Sequence, residues 1–159
     1  MARTGITTCL WFDDQAEEAV DHYTSIFPDG RIGQVIRNTD ATPGETGAVM
    51  AIEFEINGSS FMALNGGPLF TFSEAVSFQV FCDDQAEVDS YWSRLGEGGE
   101  ESQCGWLKDR YGVSWQIIPT AYMEMVADPD PAKVARVLDA MMKMVKLDIA
   151  ALRKAYDGD

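Results

Sequence analysis

The chain has 159 residues, 46% of them hydrophobic, and carries a formal net charge of −14. That length suits one domain or two fused half-domains, and the hydrophobic share is too high for a disordered chain. The acidity makes nucleic acid a poor partner, because it repels phosphate backbones, and no apolar run approaches the ~20 residues of a membrane-spanning helix.

The charge is uneven. Residues 1–130 hold 22 acids and 6 bases, whereas residues 131–159 hold 4 acids and 6 bases. The acidic body would attract a cationic ligand, although the same acidity also serves solubility. The opening MARTGITT lacks the apolar core of a signal peptide, so a cytoplasmic protein is expected. Cys9, Cys82 and Cys104 are odd in number and widely spaced, without a CxxC. Reduced thiols are expected, and a zinc site is not.

In chain order, Ile6 to Phe12 is short, apolar and rich in β-formers and predicts a strand. The pentapeptide DDQAE follows at 13–17. Ala16, Ala19, Val20, Tyr23 and Phe27 then recur at helical spacing, and Pro28-Asp29-Gly30 ends that helix. Asn38 to Gly47 is an excursion rich in Thr, Pro and Gly. Val49 to Ile56 and Ser60 to Leu64 flank Asn57-Gly58, a hairpin signal.

After the connector Asn65 to Glu74 the order repeats. Val76 to Cys82 predicts a strand, DDQAE returns at 83–87, and Val88, Tyr91, Trp92 and Leu95 mark a second helix ended by Gly96 and Gly98-Gly99. Trp106 to Asp109 and Val113 to Ile118 flank a turn closing at Gly112. In both copies of DDQAE an aspartate is expected to cap the helix, so the repeat reads as one strand-to-helix junction used twice. The hairpin glycines are 54 residues apart and the pentapeptides 70. The first half therefore carries 16 extra residues in between.

After Thr120 the pattern becomes helical. Asp130-Pro131 starts one helix, with Val134, Leu138, Met141, Met142 and Val145 as a wide apolar stripe. A second begins near Asp148, with Ile149, Leu152 and Tyr156 on one face. A Met-rich stripe of that width needs cover. A second copy in a homodimer is the expected cover, and the chain's own body is the alternative.

The fold class expected is α+β: two βαβββ modules, about 6–66 and 75–119, forming a curled mixed sheet around a cleft within one domain of residues 1–120, followed by a helical extension over 121–159. LWFDDQAEEAVDHYTSIFPDG, INGSSFMALNGGPLFTFSEAVSFQVFCDDQAEVDSYW and ESQCGWLKDRYGVSWQIIPT resemble, with gaps from residue 10 to 120, the PhnB-like group of the vicinal oxygen chelate superfamily. That superfamily includes glyoxalase, the extradiol dioxygenases and antibiotic-resistance proteins. The tail from Asp128 to Tyr156 is also similar to that of many members. Members of the group often carry a demethylubiquinone methyltransferase label. This chain lacks the strand, glycine-rich turn and helix that would cradle S-adenosylmethionine.

The resemblance implies metal ligands on the first and last strands of each module, at positions held here by Thr7, Met62, Ser77 and Gln116. Those four are a poor set for a divalent ion. His22, the only histidine, falls in line with Glu18 and Ser25 on the polar face of the first helix. Neither a metal nor another cofactor is expected.

Strand alternation turns Thr7, Cys9 and Trp11 inward, with Ser77, Gln79 and Phe81, with Ser60, Met62 and Leu64, and with Ser114, Gln116 and Ile118. An apolar cleft with a few uncharged polar groups suits a small, partly aromatic ligand, unless these side chains simply fill the core. The connector adds Asn65 and Phe70 to the expected ligand contacts, either as a lid or as a linker anchored by Phe70 and Phe72. Trp106 would stack on a ligand or fill core. Glu74, the carboxylate nearest the strand from Ser77 to Phe81, is the candidate general base or partner of a cation. Cys104 has no local base and reads as a structural thiol. Asp109 is expected to cap its turn. The function expected is binding of a small molecule without a metal; an enzyme using Glu74 is the alternative.

Overall fold

The computed structural model describes residues 5–159. Met1–Thr4, within the stretch read for a signal peptide, lie outside the described residues. The chain divides into two compact units, Met1–Phe72 and Ser73–Asp159. The first contains β1 (Thr8–Phe12), α1 (Ala16–Ile26), β2 (Arg31–Arg37), β3 (Val49–Ile56) and β4 (Ser59–Asn65). The second contains β5 (Ser77–Cys82), α2 (Gln85–Gly96), β6 (Glu100–Glu101), β7 (Trp106–Lys108) and β8 (Ser114–Pro119), followed by α3 (Thr120–Val126), α4 (Pro131–Met141) and α5 (Ile149–Asp157).

The paired βαβββ reading is borne out. The sheet orders are β1-β4-β3-β2 and β5-β8-β7-β6. In each, the first strand runs parallel to the last and the remaining pairs are antiparallel. The strands form two open four-stranded sheets, one per unit, rather than a single curled one.

Each helix covers one face of its own sheet. In the first unit Leu10, Phe12, Phe54, Phe61 and Ala63 pack with Ala16, Ala19, Val20 and Tyr23, all nearly sealed from solvent. Pleating sends their strand neighbours Cys9, Trp11, Met62 and Leu64 to the opposite face. In the second unit Val80, Leu107, Trp115 and Ile117 pack with Val88, Trp92 and Leu95. Ser77, Gln79, Trp106, Ser114 and Gln116 point the other way.

The hairpins form where Gly58 and Gly112 predict them. Asn57 and Gly58 both adopt positive φ, +48° and +71°, as a tight turn between twisted strands requires. Asp29 accepts from both turn amides, Asn57 N–H at 2.8 Å and Gly58 N–H at 2.7 Å. Asp109 is buried and accepts from Tyr111 N–H, Val113 N–H and the Trp115 indole.

The two copies of DDQAE differ, which corrects the expectation of an aspartate cap in both. Asp84 accepts from Glu87 N–H at 2.9 Å, and the Glu87 carboxylate accepts from Asp83 N–H at 2.8 Å, a reciprocal capping box. In the first copy the cap position is Gln15, whose side chain makes no cap bond. The amide of Ala16 donates instead to Asn65 Oδ1 at 2.8 Å.

The edge strands also differ. β2 has seven residues and meets β3 with register shifts between Ile32 and Val35 and between Ile36 and Arg37. β6 has two, both glutamate. The C-terminal helices pack on their own unit: Met125, Val137, Leu147 and Leu152 close over Ile118. Gln85 fastens them, donating to Leu147 O at 3.1 Å and accepting from Ile149 N–H at 2.8 Å. The apolar stripe of α4 is thus split. Val137, absent from the predicted stripe, is fully buried, while Leu138, Met142 and Val145 remain 39%, 63% and 38% exposed.

Candidate functional site

In the second unit the face turned away from α2 gathers four of the expected contacts. Ser77, Gln79, Gln116 and Trp106 are cross-strand neighbours: Gln79 pairs with Gln116, and Gln116 with Trp106. Their polar atoms form a chain. Gln79 Nε2 donates to Gln116 Oε1 at 3.3 Å, and Gln116 Nε2 donates to Ser77 Oγ at 2.7 Å. The two carboxamides lie side by side on edge strand β5 and its neighbour β8, where a ligand would meet amide donors and acceptors at once. Further along the same face Phe81 is 47% exposed.

Glu74 sits in the turn before β5 and forms an ion pair with Lys108 of β7, Nζ to Oε1 2.5 Å. The Lys108 hydrogen bond is the main cause that holds the Glu74 carboxyl below its ordinary range. A carboxylate stabilised in its charged form is a weaker base. The arrangement favours charge pairing over the general-base role expected of Glu74.

In the first unit Cys9, Trp11 and Met62 share the face turned away from α1, with Cys9 beside Met62 and Trp11 beside Leu64. Trp11 is fixed three ways. Its indole donates to Gly67 O at 2.9 Å, the Phe70 ring meets it edge-on at 5.0 Å, and Gly66 lies against it so closely that a Cβ there would fall 2.3 Å from the ring. Phe72 meets Phe12 in the same manner at 5.2 Å. Both phenylalanines of the connector are therefore anchored on β1, as the linker reading requires, although Phe70 stays 59% exposed. Thr7 precedes β1 and is exposed, beside a hollow of about 410 Å³ that also takes in Arg31, Glu53 and Glu55. Arg31 and Glu55 are ion-paired across it.

Asn65 does not join these contacts. It lies on the helix side of β4, opposite Phe12, and its carboxamide is engaged at both ends, by Ala16 N–H and by Val49 O at 3.1 Å. Its role is to tie strand to helix. His22 is half-buried, its ring 5.9 Å from that of Tyr23, and not on an open polar face. Burial pushes the Cys9 thiol up and the Cys82 thiol up to about 12, so neither is a ready nucleophile.

The four positions the superfamily uses for metal do not fit a divalent ion here. Thr7 and Ser77 offer hydroxyls, Met62 a thioether and Gln116 an amide already bonded to Ser77. Among the described residues no group of three or more His, Cys, Asp or Glu is placed to hold a metal ion.

Residues 4–118 match the family described as 3-demethylubiquinone-9 3-methyltransferase. The chain belongs to that family. The PhnB protein from Bacillus cereus is 35% identical over 73% of this chain and 99% of its own, with a TM-score of 0.67. Protein PA1353 from Pseudomonas aeruginosa is 20% identical over 74% of this chain and 98% of its own, with a TM-score of 0.61. The fosfomycin resistance protein FosX from Listeria monocytogenes shares the fold at 15% identity and a TM-score of 0.53, over 74% and 94% of the two chains. None of the curated proteins matches. This PhnB-like chain thus has the glyoxalase-superfamily fold that the paired modules imply. The family match stops one residue short of the end of β8 and leaves α3, α4 and α5 outside. Among the described residues no helix is long and apolar enough to cross a membrane.

Ser114 escaped the sequence reading as a contact of interest. It is 2% exposed, and its Oγ has no hydrogen-bond partner among the described residues. Alternation placed it on this face, but only the packing around it reveals the unmet hydroxyl.

Proposed function

We propose that this PhnB-like protein binds a small organic molecule on the faces of its sheets turned away from α1 and α2, without a metal. One observation carries the reading: the hydrogen-bonded run Gln79–Gln116–Ser77 beside Trp106 on the second sheet. A row of amides next to an aromatic ring recognises a planar or partly aromatic ligand by stacking and by paired donor and acceptor. Cys9, Trp11, Met62 and Phe70 supply the corresponding apolar surface in the first module. FosX is a resistance protein on the same fold, which is consistent with capture of a small molecule.

Methyl transfer is not the function we infer from the family's description. Among the described residues the parallel pairs are β1 with β4 and β5 with β8, each separated by a helix and two antiparallel strands. Among the described residues no strand passes through a glycine-rich turn into a helix as a nucleotide-like cofactor would need. The donor chemistry at Thr7, Met62, Ser77 and Gln116 supports the metal-free reading.

We further propose a homodimer that covers Leu138, Met142 and Val145, the part of the stripe on α4 and its following turn that the second unit leaves exposed. Light scattering at micromolar concentration tests this: a monomeric mass that Leu138→Glu leaves unchanged rejects it.

The binding reading is tested by equilibrium dialysis of the purified chain against a small-molecule extract, with retained compounds identified by mass spectrometry. Retention of one compound, lost in Gln116→Leu without loss of fold, is the expected result. Equal retention by Gln116→Leu would remove this face from the site.

A further inference from the structure

Beside the amide run, the β6–β7 edge of the second sheet bounds a hollow of about 130 Å³ lined by Ser114, Lys108, Trp106, Glu74, Glu100 and Glu101. We propose that it is a subsite for a short-chain ammonium ion carrying a hydrogen-bonding oxygen, with Ser114 binding that oxygen. The inference rests on the reading that this face binds a ligand, and it names the chemistry of one end of that ligand.

Ser114 supplies the first argument. A serine hydroxyl has one donor and two acceptor sites. Here it is buried at the hollow with none of them met by the described residues. Buried polar groups in native proteins nearly always find a partner, so an unmet one lining a hollow marks a place where a polar atom binds.

Charge supplies the second. Three carboxylates line the hollow against one ammonium. Lys108 is engaged by Glu74, and Glu101 Oε1 accepts from the Trp92 indole at 2.8 Å. The remaining field is negative, so it favours a cation over a carboxylate or phosphate. The Trp106 ring adds a surface that attracts cations. Size supplies the third. At ~30 Å³ per water the space holds about four waters, enough for a two- or three-carbon amine and too little for a ring system.

The subsite is tested with the full ¹⁵N-labelled chain, titrated separately with ethanolammonium, ethylammonium, acetate and ethylene glycol. The readout is the Trp106 indole N–H resonance, assigned with Trp106→Phe. Ethanolammonium should shift it saturably, and ethylammonium, which lacks the oxygen, should bind about 5–10-fold more weakly, the factor expected for one hydrogen bond. Ser114→Ala should erase that difference. Glu74→Gln and Glu100→Gln should weaken both amines and flatten their salt dependence.

Equal binding of the two amines by the unaltered chain would overturn the role of Ser114, even if Ser114→Ala failed to fold. No shift with either amine, with only a bound water detected at Ser114, would show a hydrated hollow and no subsite. Competition by acetate would show an anion site built on Lys108. A compound retained through Gln79 and Gln116 with no amine effect would sink this subsite alone. Loss of that retention with the amine shifts intact would sink the wider reading alone.

Discussion

Asn65 caps a helix that begins 49 residues before it: its Oδ1 accepts the amide of Ala16 at 2.8 Å, and its Nδ2 holds Val49 O on the neighbouring strand. One carboxamide thereby joins β4, β3 and the start of α1. Asn65→Ala should destabilise the first unit by about 1 kcal/mol, the usual cost of a lost cap. Asn65→Asp should retain the Ala16 bond and lose only the bond to Val49. Urea unfolding of the three proteins checks this, and equal stability of all three would refute it.

Gly66 permits the close seat of the Trp11 ring. A Cβ there meets three ring atoms within 2.6 Å, and the ring cannot yield without breaking its bond to Gly67 O and its contact with Phe70. Gly66→Ala should cost about 1–3 kcal/mol by overpacking, and it should shift the Trp11 indole resonance. An unchanged resonance would show that the connector accommodates the methyl group freely.

Asp29 links stability to pH. The amides of Asn57 and Gly58 are the leading causes that lower its pKa on folding. A group depressed in the folded state stabilises above its unfolded value, ~4 for aspartate, and loses that contribution as pH falls through the lower folded value. The carboxylate is exposed, so the effect is small and screened. The urea midpoint of Asp29→Asn should lie below that of the unaltered chain at pH ~7, and the two should converge near pH ~2.5. Parallel midpoints across that range would contradict the assignment.

Much of this arrangement was legible because it is local. Turn glycines placed the hairpins, and alternation along β5 and β8 placed Ser77, Gln79 and Gln116 on one face, as the register confirms. The same alternation counted Thr7 as an inward strand residue, whereas it stands one residue before β1. The misses are non-local. The Asn65 cap depends on β4 lying beside β1. The Lys108 partner of Glu74 stands 34 residues away across two strands. Identical letters at 13–17 and 83–87 could not reveal two different caps, since the second uses its own Asp84 and the first borrows from a strand. Gln85 bonds to the C-terminal segment, whereas Gln15 stands exposed at the equivalent position.

That bond gives a prediction for the extension. Gln85→Ala should leave βαβββ packing in place and loosen the start of α5, because Leu147 O and Ile149 N–H lose their shared partner. Hydrogen exchange should speed at Ile149 and its neighbours while β8 amides stay protected. Uniform acceleration across the second unit would mean that the extension and the sheet open together.

Elemental analysis of untagged protein should find well under one zinc, iron, manganese or nickel per chain, and chelation should leave the unfolding midpoint and ligand retention unchanged. The expectation rests on Thr7, Met62, Ser77 and Gln116 offering at most one reasonable donor. A stoichiometric metal lost together with binding would restore a metalloprotein.

The offset pairing of β2 bears on how the protein survives at high concentration. An outer strand of seven residues with Ile32 and Val35 about half open to water is the kind of template on which foreign chains stack into fibrils. Two breaks in its pairing with β3 bend it away from the flat, regular ribbon such stacking needs, and Arg31 and Arg37 set like charges at both ends. The irregularity is a guard against fibril growth, and straightening this strand would expose the chain to it.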